Sequence, residues 1–453
     1  MTLDPPTLRA LLGDHLVAMP TTPPPPARGV RFHSDRVRPG DAFVALRGAT
    51  THGLRFADDA LARGAAFVLS DLPYPGAVLV DDAGAALLTL GRAARAAHRG
   101  PVVAVTGSAG KTTTKSLLAA ALDAFASPGN LNTPHALATT LVDAWLAGDP
   151  DRPLVLELGI DHVGEMARLT ALVRPTHGVV TLVAEAHLAG LGDLATVAQE
   201  KAGALRAATV ARYAADGAWH HLPAPLRYGV RRYRVDAAGT PLDPDDDAGG
   251  ATVGRHDVVG GVDRLVATID GQALTVDLPG PGRALAENAL GALRVAVDLG
   301  VPLATAAARL AAAALEPGRL TRRTLGGRLL IDDSYNANPA STTAALEVLA
   351  RSPRPHTLVM GAMLELGPAS AERHREVGLA CRAQGIDTVW TVGAAARPIA
   401  ETYPQARSFD DVAALRAAAT ELPAGGTLLV KGSRGVGLDA FVRYLASLEE
   451  VAR

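Results

Sequence analysis

Cys381 is the only cysteine in the chain, which excludes a disulfide scaffold and a cysteine-rich zinc module. No stretch approaches about 18 unbroken apolar residues, and the opening MTLDPPTLRALLGDHLVAMP has no basic region leading into an apolar core. Neither a membrane span nor an export signal is expected, so the expected location is cytoplasmic. Charge of one sign is also missing. The 44 Lys+Arg and 46 Asp+Glu leave a formal −2, with no electrostatic footprint for nucleic acid or an anionic membrane. Lysine itself is scarce: only Lys111, Lys115, Lys201 and Lys431 stand among the 44 basic residues. Arginine serves most generic surface roles, so a lysine kept in such a chain marks a place that needs a compact, titratable amine. Asparagine is equally rare, at Asn130, Asn132, Asn288, Asn336 and Asn338.

What is present points to an α/β protein of several domains. The 453 residues, 48% hydrophobic, are enough for two to four domains at roughly 100–200 residues each. Residues 1–98 open with the Pro-rich loop TPPPPARG (22–29). The apolar runs DAFVAL, AAFVLS and GAVLVDD follow, interleaved with the helical FADDALARGA, as in a small α/β domain. A second unit, 99–316, begins at PVVAVTG (101–107) and continues a mostly parallel sheet through PLVLELG (153–159) and GVVTLV (178–183). Within it, the Asp- and Gly-rich stretch 236–263 reads as a surface insertion. Its DPDDDAGG lacks the Gly and Glu that a calcium loop requires at its sixth and twelfth positions, where Ala248 and Gly254 stand. A third α/β unit, 317–453, carries strand candidates RLLIDD, HTLVMG, DTVWTVG and TLLVKG between Ala- and Leu-rich helices. No repeat of solenoid length is visible.

The strongest local signal is VVAVTGSAGKTTTK (102–115). A buried strand ends at Gly107, Gly110 permits close backbone approach, and Lys111-Thr112 opens a helix. The N–H groups of Ser108, Ala109, Gly110 and Thr113 at a helix N-terminus form an anion cradle. Lys111 reaches terminal phosphates and the Thr112 hydroxyl suits Mg²⁺. Val105 stands where the longer phosphate-loop motif has glycine, so this is the shorter TGxxGKT form. An ATP site is expected. Three further residues follow in the same unit: Glu157 at the end of LVLELG, His187 in AEAHLAGLGD and Lys201 in VAQEKAGAL. A carboxylate at the carboxyl edge of a parallel sheet is where ligand chemistry collects. Each also has an ordinary reading, as a strand-end carboxylate, a loop histidine and a solvated helix lysine, so spacing alone leaves a metal site open.

These motifs resemble the Mur ligases, the ATP-dependent amide-forming enzymes of peptidoglycan precursor synthesis, over about 29–440. TGSAGKTTTK is shared with folylpolyglutamate synthetases. IDDSYNANPAST (331–342), MLELG (363–367) with HREVG (374–378), AHLAGLGDL (186–194) and VKGSRG (430–435) resemble the branch that adds D-alanyl-D-alanine to UDP-N-acetylmuramoyl-tripeptide. HSDRVRPGDAFVALRG (33–48) resembles the UDP-binding domain of the later-acting ligases. The resemblance implies a UDP-substrate domain, a central phosphate-loop ATPase domain and a C-terminal Rossmann-like domain. It also implies an acyl-phosphate intermediate and a part in cell-wall growth and division.

Individual roles follow from the resemblance. Lys111 and Thr112 would hold ATP phosphates and a first Mg²⁺, with Glu157 as a further ligand. His187 and Lys201 would serve a second Mg²⁺, Lys201 being N-carboxylated. Asn288 would meet adenine, Arg319 the terminal phosphate, and Asp333 (or Asp332) the ribose. Ser34, Asp35 and Arg36 would lie near UDP. Asn130, Asn132, Tyr335, Asn336, Asn338, Lys431, Ser433 and Arg434 would face the substrates. Lys115, one turn beyond Lys111, falls in the same family motif, with a plain solvated helix residue as the alternative. No nucleic-acid partner is implied, and a monomer is the default. The sequence departs from the family at Gly282-Arg283-Ala284-Leu285 (for GRHN), Ala362 (for Asp), Thr133 (for Asn) and Leu54 (for His). Two rival readings stay open: another amino-acid-adding ligase of the family, or a nucleotide- and UDP-peptide-binding paralogue without catalysis.

Overall fold

The computed structural model describes residues 2–236 and 251–452. Among these, strands form sheets of five, nine and six members. The first sheet places Gly29–Arg31, Asp41–Ala45, Phe67–Ser70 and Val78–Val80 in parallel, with Leu16–Ala18 antiparallel at its edge. Its helix Ala83–Ala97, capped by the Asp82 side chain, packs closely on helix Pro134–Leu146 of the next unit, where a Cβ at Gly91 would lie 2.7 Å from Ala138 Cβ. One continuous apolar core therefore runs from Leu3 through Leu87 to Leu156 and Leu205. The first two units are packed as one body rather than strung as beads.

The central sheet runs, in spatial order, Phe125–Ala126, Leu154–Glu157, Val102–Thr106, His177–Val180, Ala211–Ala215, Val230–Asp236 and Thr252–Val259, all parallel. Val262–Ile269 and Gln272–Asp277 then extend it antiparallel. Fully buried Val103, Val105 and Val155 pack beneath helices Lys111–Leu122 and Arg283–Asp298. For residues 252–263 this corrects the expectation of a surface insertion over 236–263. Those residues enter two paired strands joined by Gly260-Gly261, with burial alternating along Val262–Ile269 while Val258 and Val259 at the tip are exposed. The next hairpin turns at Asp270-Gly271. Two-residue glycine turns match the twist of paired strands, which is why they close hairpins. DPDDDAGG (243–250) lies outside the described residues.

The third sheet orders Thr321–Leu325, Arg328–Asp333, Thr427–Lys431, His356–Gly361, Thr388–Val392 and Arg407–Phe409; only the first strand is antiparallel. All four strand segments expected here are present. Cys381 is fully buried and its thiol is pushed up to about 12 by desolvation, as befits a core residue. No helix among the described residues is long and apolar enough to cross a membrane.

Candidate active site

A cavity of about 490 Å³ opens between the carboxyl edges of the central and C-terminal sheets. Parallel strands deliver chemistry at such edges because loops and helix N-termini converge there. From the central sheet come Ser108–Thr113 after Val102–Thr106, and Glu157 at the end of Leu154–Glu157. From the C-terminal sheet come Asp333 and Lys431, which stand in register at the ends of adjacent strands.

The phosphate loop is built by steric need. Gly107 has φ +153°, and a Cβ there would sit 2.0 Å from Thr181 Oγ1. Gly110 is left-handed at φ +81° and caps helix Lys111–Leu122, with the Asn288 amide 3.0 Å from where its Cβ would stand. Lys111 Nζ folds back over the loop and donates to Gly107 O at 2.7 Å. Burial lowers its pKa, an effect opposed by Glu157 and reinforced by Arg319. Glu157 is buried and fixed at both oxygens: Oε2 accepts from Thr112 Oγ1 at 2.6 Å, Oε1 from Asn132 Nδ2 at 2.9 Å. A hydroxyl and a carboxylate side by side are hard oxygen donors, which fit Mg²⁺.

Lys201 is 1% exposed on helix Leu194–Ala207. Burial, and then the neighbouring charge of Lys111, hold its pKa well below the ordinary lysine value. An ammonium there would repel a cation, whereas a carbamate would supply an anionic oxygen. The donor set therefore fits a second Mg²⁺ only if Lys201 is carboxylated. His187, left-handed at φ +54°, places Nδ1 2.5 Å from Glu365 Oε2, off hydrogen-bond alignment. Its pKa is lowered, mainly by burial.

On the facing wall, Arg319 lies over the Tyr335 ring at 4.1 Å and Arg434 at 5.6 Å. Asn338 caps helix Pro339–Ala350 and reaches across to donate its Nδ2 to Ser108 O at 3.1 Å. Lys431 is enclosed between the Asp333 carboxylate and the Asn336 carbonyl.

Comparison with known proteins converges on one family. Family descriptions match in succession: "Mur ligase family, catalytic domain" over 26–124, "Mur ligase middle domain" over 105–296 and "Mur ligase, glutamate ligase domain" over 318–434. The UDP-N-acetylmuramoyl-tripeptide–D-alanyl-D-alanine ligase of Escherichia coli (strain K12) is 36% identical over 429 residues, spanning 90% of this chain and 92% of that protein. The chain belongs to the Mur ligase family. MurF ligase from Thermotoga maritima, solved in complex with ADP, has a TM-score of 0.76 at 26% identity, over 94% of this chain and 99% of that one. MurF from Acinetobacter baumannii shares the fold at TM-score 0.81 and 24% identity, over 98% and 99%.

Within this Mur ligase, the cavity brings together Ser108, Ala109, Gly110, Lys111, Thr112, Thr113, Asn130, Asn132, Glu157, His187, Asn288, Arg319, Asp333, Tyr335, Asn336, Asn338 and Lys431. Of the two candidate aspartates, Asp333 lines it, while Asp332 turns to the backbone and hydroxyl of Ser334. Gly107 and Lys201 are not part of the lining, though Lys201 is near enough to Lys111 and His187 for their charges to interact. Ser433 is a buried brace, accepting from Leu364 N and donating to Ala337 O, and Arg434 pairs with Asp439. Ser34, Asp35 and Arg36 form a short turn on the first unit, outside the cavity. The alternative of a solvated Lys115 is excluded: it is 2% exposed and donates to Gly129 O.

Sequence reasoning missed Asp161, Glu165 and Arg168, which line the cavity beyond Glu157. Glu165 Oε2 accepts from the N–H groups of Asp161 and His162, so it also shapes the turn. Charged residues four and seven apart just after a strand-end glutamate were the available signal.

Proposed function

We infer that this chain is the ATP-dependent ligase that joins D-alanyl-D-alanine to UDP-N-acetylmuramoyl-tripeptide, giving the UDP-MurNAc-pentapeptide of peptidoglycan synthesis. The observation that carries the reading is the two-sided cavity. A phosphate loop on one unit faces the IDDSYNANP wall of another, with Asn338 bonded directly to the loop. We assign residues 1–98 to the UDP-substrate, 99–316 to ATP, and 317–453 to closure over the dipeptide.

The chemistry asks two anions to meet. An oxygen of the tripeptide's terminal carboxylate attacks the γ-phosphorus, the bond to the β-phosphate oxygen breaks, and ADP leaves. The dipeptide amine then attacks the acyl carbon, and phosphate departs as the amide forms and the amine's proton is lost. Lys111 and the N–H groups after Gly107 neutralise charge on the transferring group. Arg319, stacked on Tyr335, presents a second cation from the opposite wall. Thr112 and Glu157 would hold one Mg²⁺, and His187 with a carboxylated Lys201 a second. Such ions, when bound, screen the phosphate oxygens as Lewis acids. Asn132 keeps Glu157 oriented, and Asn288 with Leu285 and Pro281 would flank the base. Seating of the C-terminal unit would keep water from the acyl phosphate.

The test is phosphate release from ATP with UDP-N-acetylmuramoyl-tripeptide, adding D-alanyl-D-alanine or free D-alanine in parallel. Release that depends on the dipeptide, with a pentapeptide product by mass, is expected. Preference for the free amino acid would favour another ligase of the family; binding without turnover would favour a paralogue without catalysis. Carboxylation of Lys201 is tested separately. Removing CO₂ and bicarbonate should lower activity reversibly, and full activity with an unmodified lysine by intact mass would exclude the modification.

A further inference from the structure

MLELG and HREVG take no part in the phosphate chemistry, yet the structure joins them into one device. His374 is fully buried; its Nδ1 donates to Ser370 O at 2.7 Å and its Nε2 accepts from Met363 N at 2.9 Å. That ring fixes the 363–367 turn, in which Glu365 is left-handed at φ +64° and faces His187. Next to His374, Arg373 points the other way. Its Nε and a terminal N–H donate to the two carboxylate oxygens of Glu185 at 2.9 and 3.1 Å, across 188 residues of sequence. Planar two-point pairing fixes orientation as well as distance.

Glu185 sits in the segment leading to His187, and that segment is held from its other side by the phosphate loop. Ser108 N donates to Leu182 O at 2.8 Å, Ala184 N donates to Ser108 Oγ at 3.0 Å, and Ser108 Oγ donates to Ala184 O at 2.7 Å. His187 and Glu365 both hold a backbone conformation that L-residues rarely adopt, face to face across the seam. Such conformations persist where surrounding contacts over-determine them.

We propose that Arg373 is a positioning residue: by clasping Glu185 it sets the His187 segment in place only when the C-terminal unit is seated. Ligation would then be tied to closure, while the first capture of ATP by the phosphate loop on the central side would not, Arg319 and Asp333 joining only as the C-terminal unit seats. The inference rests on the ligase reading.

The experiment is a double-mutant cycle of Arg373→Met and Glu185→Gln in the full chain, with melting temperatures confirming that each variant is folded. Each single variant should lower kcat for dipeptide-dependent phosphate release by roughly 10- to 100-fold, the usual loss for a group that orients a ligand side chain. Kd for ATP in the absence of UDP-tripeptide should stay within about twofold, because the phosphate loop that captures it is unchanged. The double variant should be no worse than the poorer single. Single variants within about twofold of the parent, or losses that multiply in the double, overturn the proposal. A second readout does not depend on turnover. Spin labels at Ala195→Cys and Ala383→Cys, with Cys381 buried and unlabelled, should give one narrow interdomain distance that Arg373→Met broadens. An unchanged distribution overturns the clasp. A parent protein that makes no pentapeptide removes the ligase reading instead, leaving the distance measurement to judge the clasp.

Discussion

Replacing Gly159 by alanine would disturb the candidate site through one contact. Gly159 lies outside the left-handed region, so alanine meets no backbone penalty there. Its Cβ, however, would stand 2.5 Å from Asn132 Nδ2 and 2.6 Å from Asn132 Cγ. Ordinary contact begins near 3.4 Å, so the amide must retreat by about 1 Å, taking its 2.9 Å bond to Glu157 beyond hydrogen-bond range. A hydrogen bond to a charged group contributes about 1.5–3 kcal/mol. If that contribution holds the carboxylate in its working orientation, kcat/KM falls roughly 10- to 100-fold. Stability should change by less than about 1 kcal/mol, because Asn132 is half-buried and can move, and because alanine narrows the unfolded ensemble. The assay is steady-state ligation beside urea unfolding, for Gly159→Ala, Asn132→Ala and the double variant. The double should be no worse than Asn132→Ala alone, since the partner of the clash is gone. Full activity in Gly159→Ala, or losses that multiply, would refute the role given to the Asn132–Glu157 bond.

Three other perturbations have definite signs. Lys115→Met releases the Gly129 carbonyl and with it the 129–132 turn carrying Asn130 and Asn132; KM for the UDP-tripeptide should rise about tenfold, if one charge-assisted bond is lost, with KM for ATP unmoved in the same titrations. Burial lowers the His374 pKa below the ordinary 6.5, so the unfolded state takes the proton first. Its contribution to stability is therefore complete above that value and lost as pH falls below it, and the acid loss in melting temperature should shrink in His374→Gln. Gly291→Ala gains helix propensity of about 1 kcal/mol, but its Cβ would lie 2.6 Å from the ring of fully buried Tyr233. Overpacking costs about 1–3 kcal/mol, so urea unfolding should show net destabilisation.

The parts of the site visible in sequence are those where backbone and chemistry demand particular residues locally. The phosphate loop needs glycine where a Cβ would strike Thr181, and that need is written in consecutive positions. Lysine scarcity carried information for a related reason. Lys115, Lys201 and Lys431 are each at most 2% exposed, and Lys111 lines the cavity, so none serves as solvated surface. The 252–277 hairpins are hidden by composition, because a high Asp and Gly content in 236–263 reads as loop and masks the two-residue turn at Gly260-Gly261. Lys115 stays ambiguous in sequence, since a helix position one turn past the loop looks solvated until Gly129 folds back over it. What lay furthest from legibility were contacts made only by tertiary structure. Arg373 and Glu185 each look like ordinary helix and loop charges, and their pairing exists only because two sheets present their carboxyl edges to one cavity. Motifs specific to one branch of a family can thus be read as letters well before their work is known. MLELG and HREVG mark the branch in sequence, but it is the His374 ring joining them and the guanidinium beside it that give the two segments a common task.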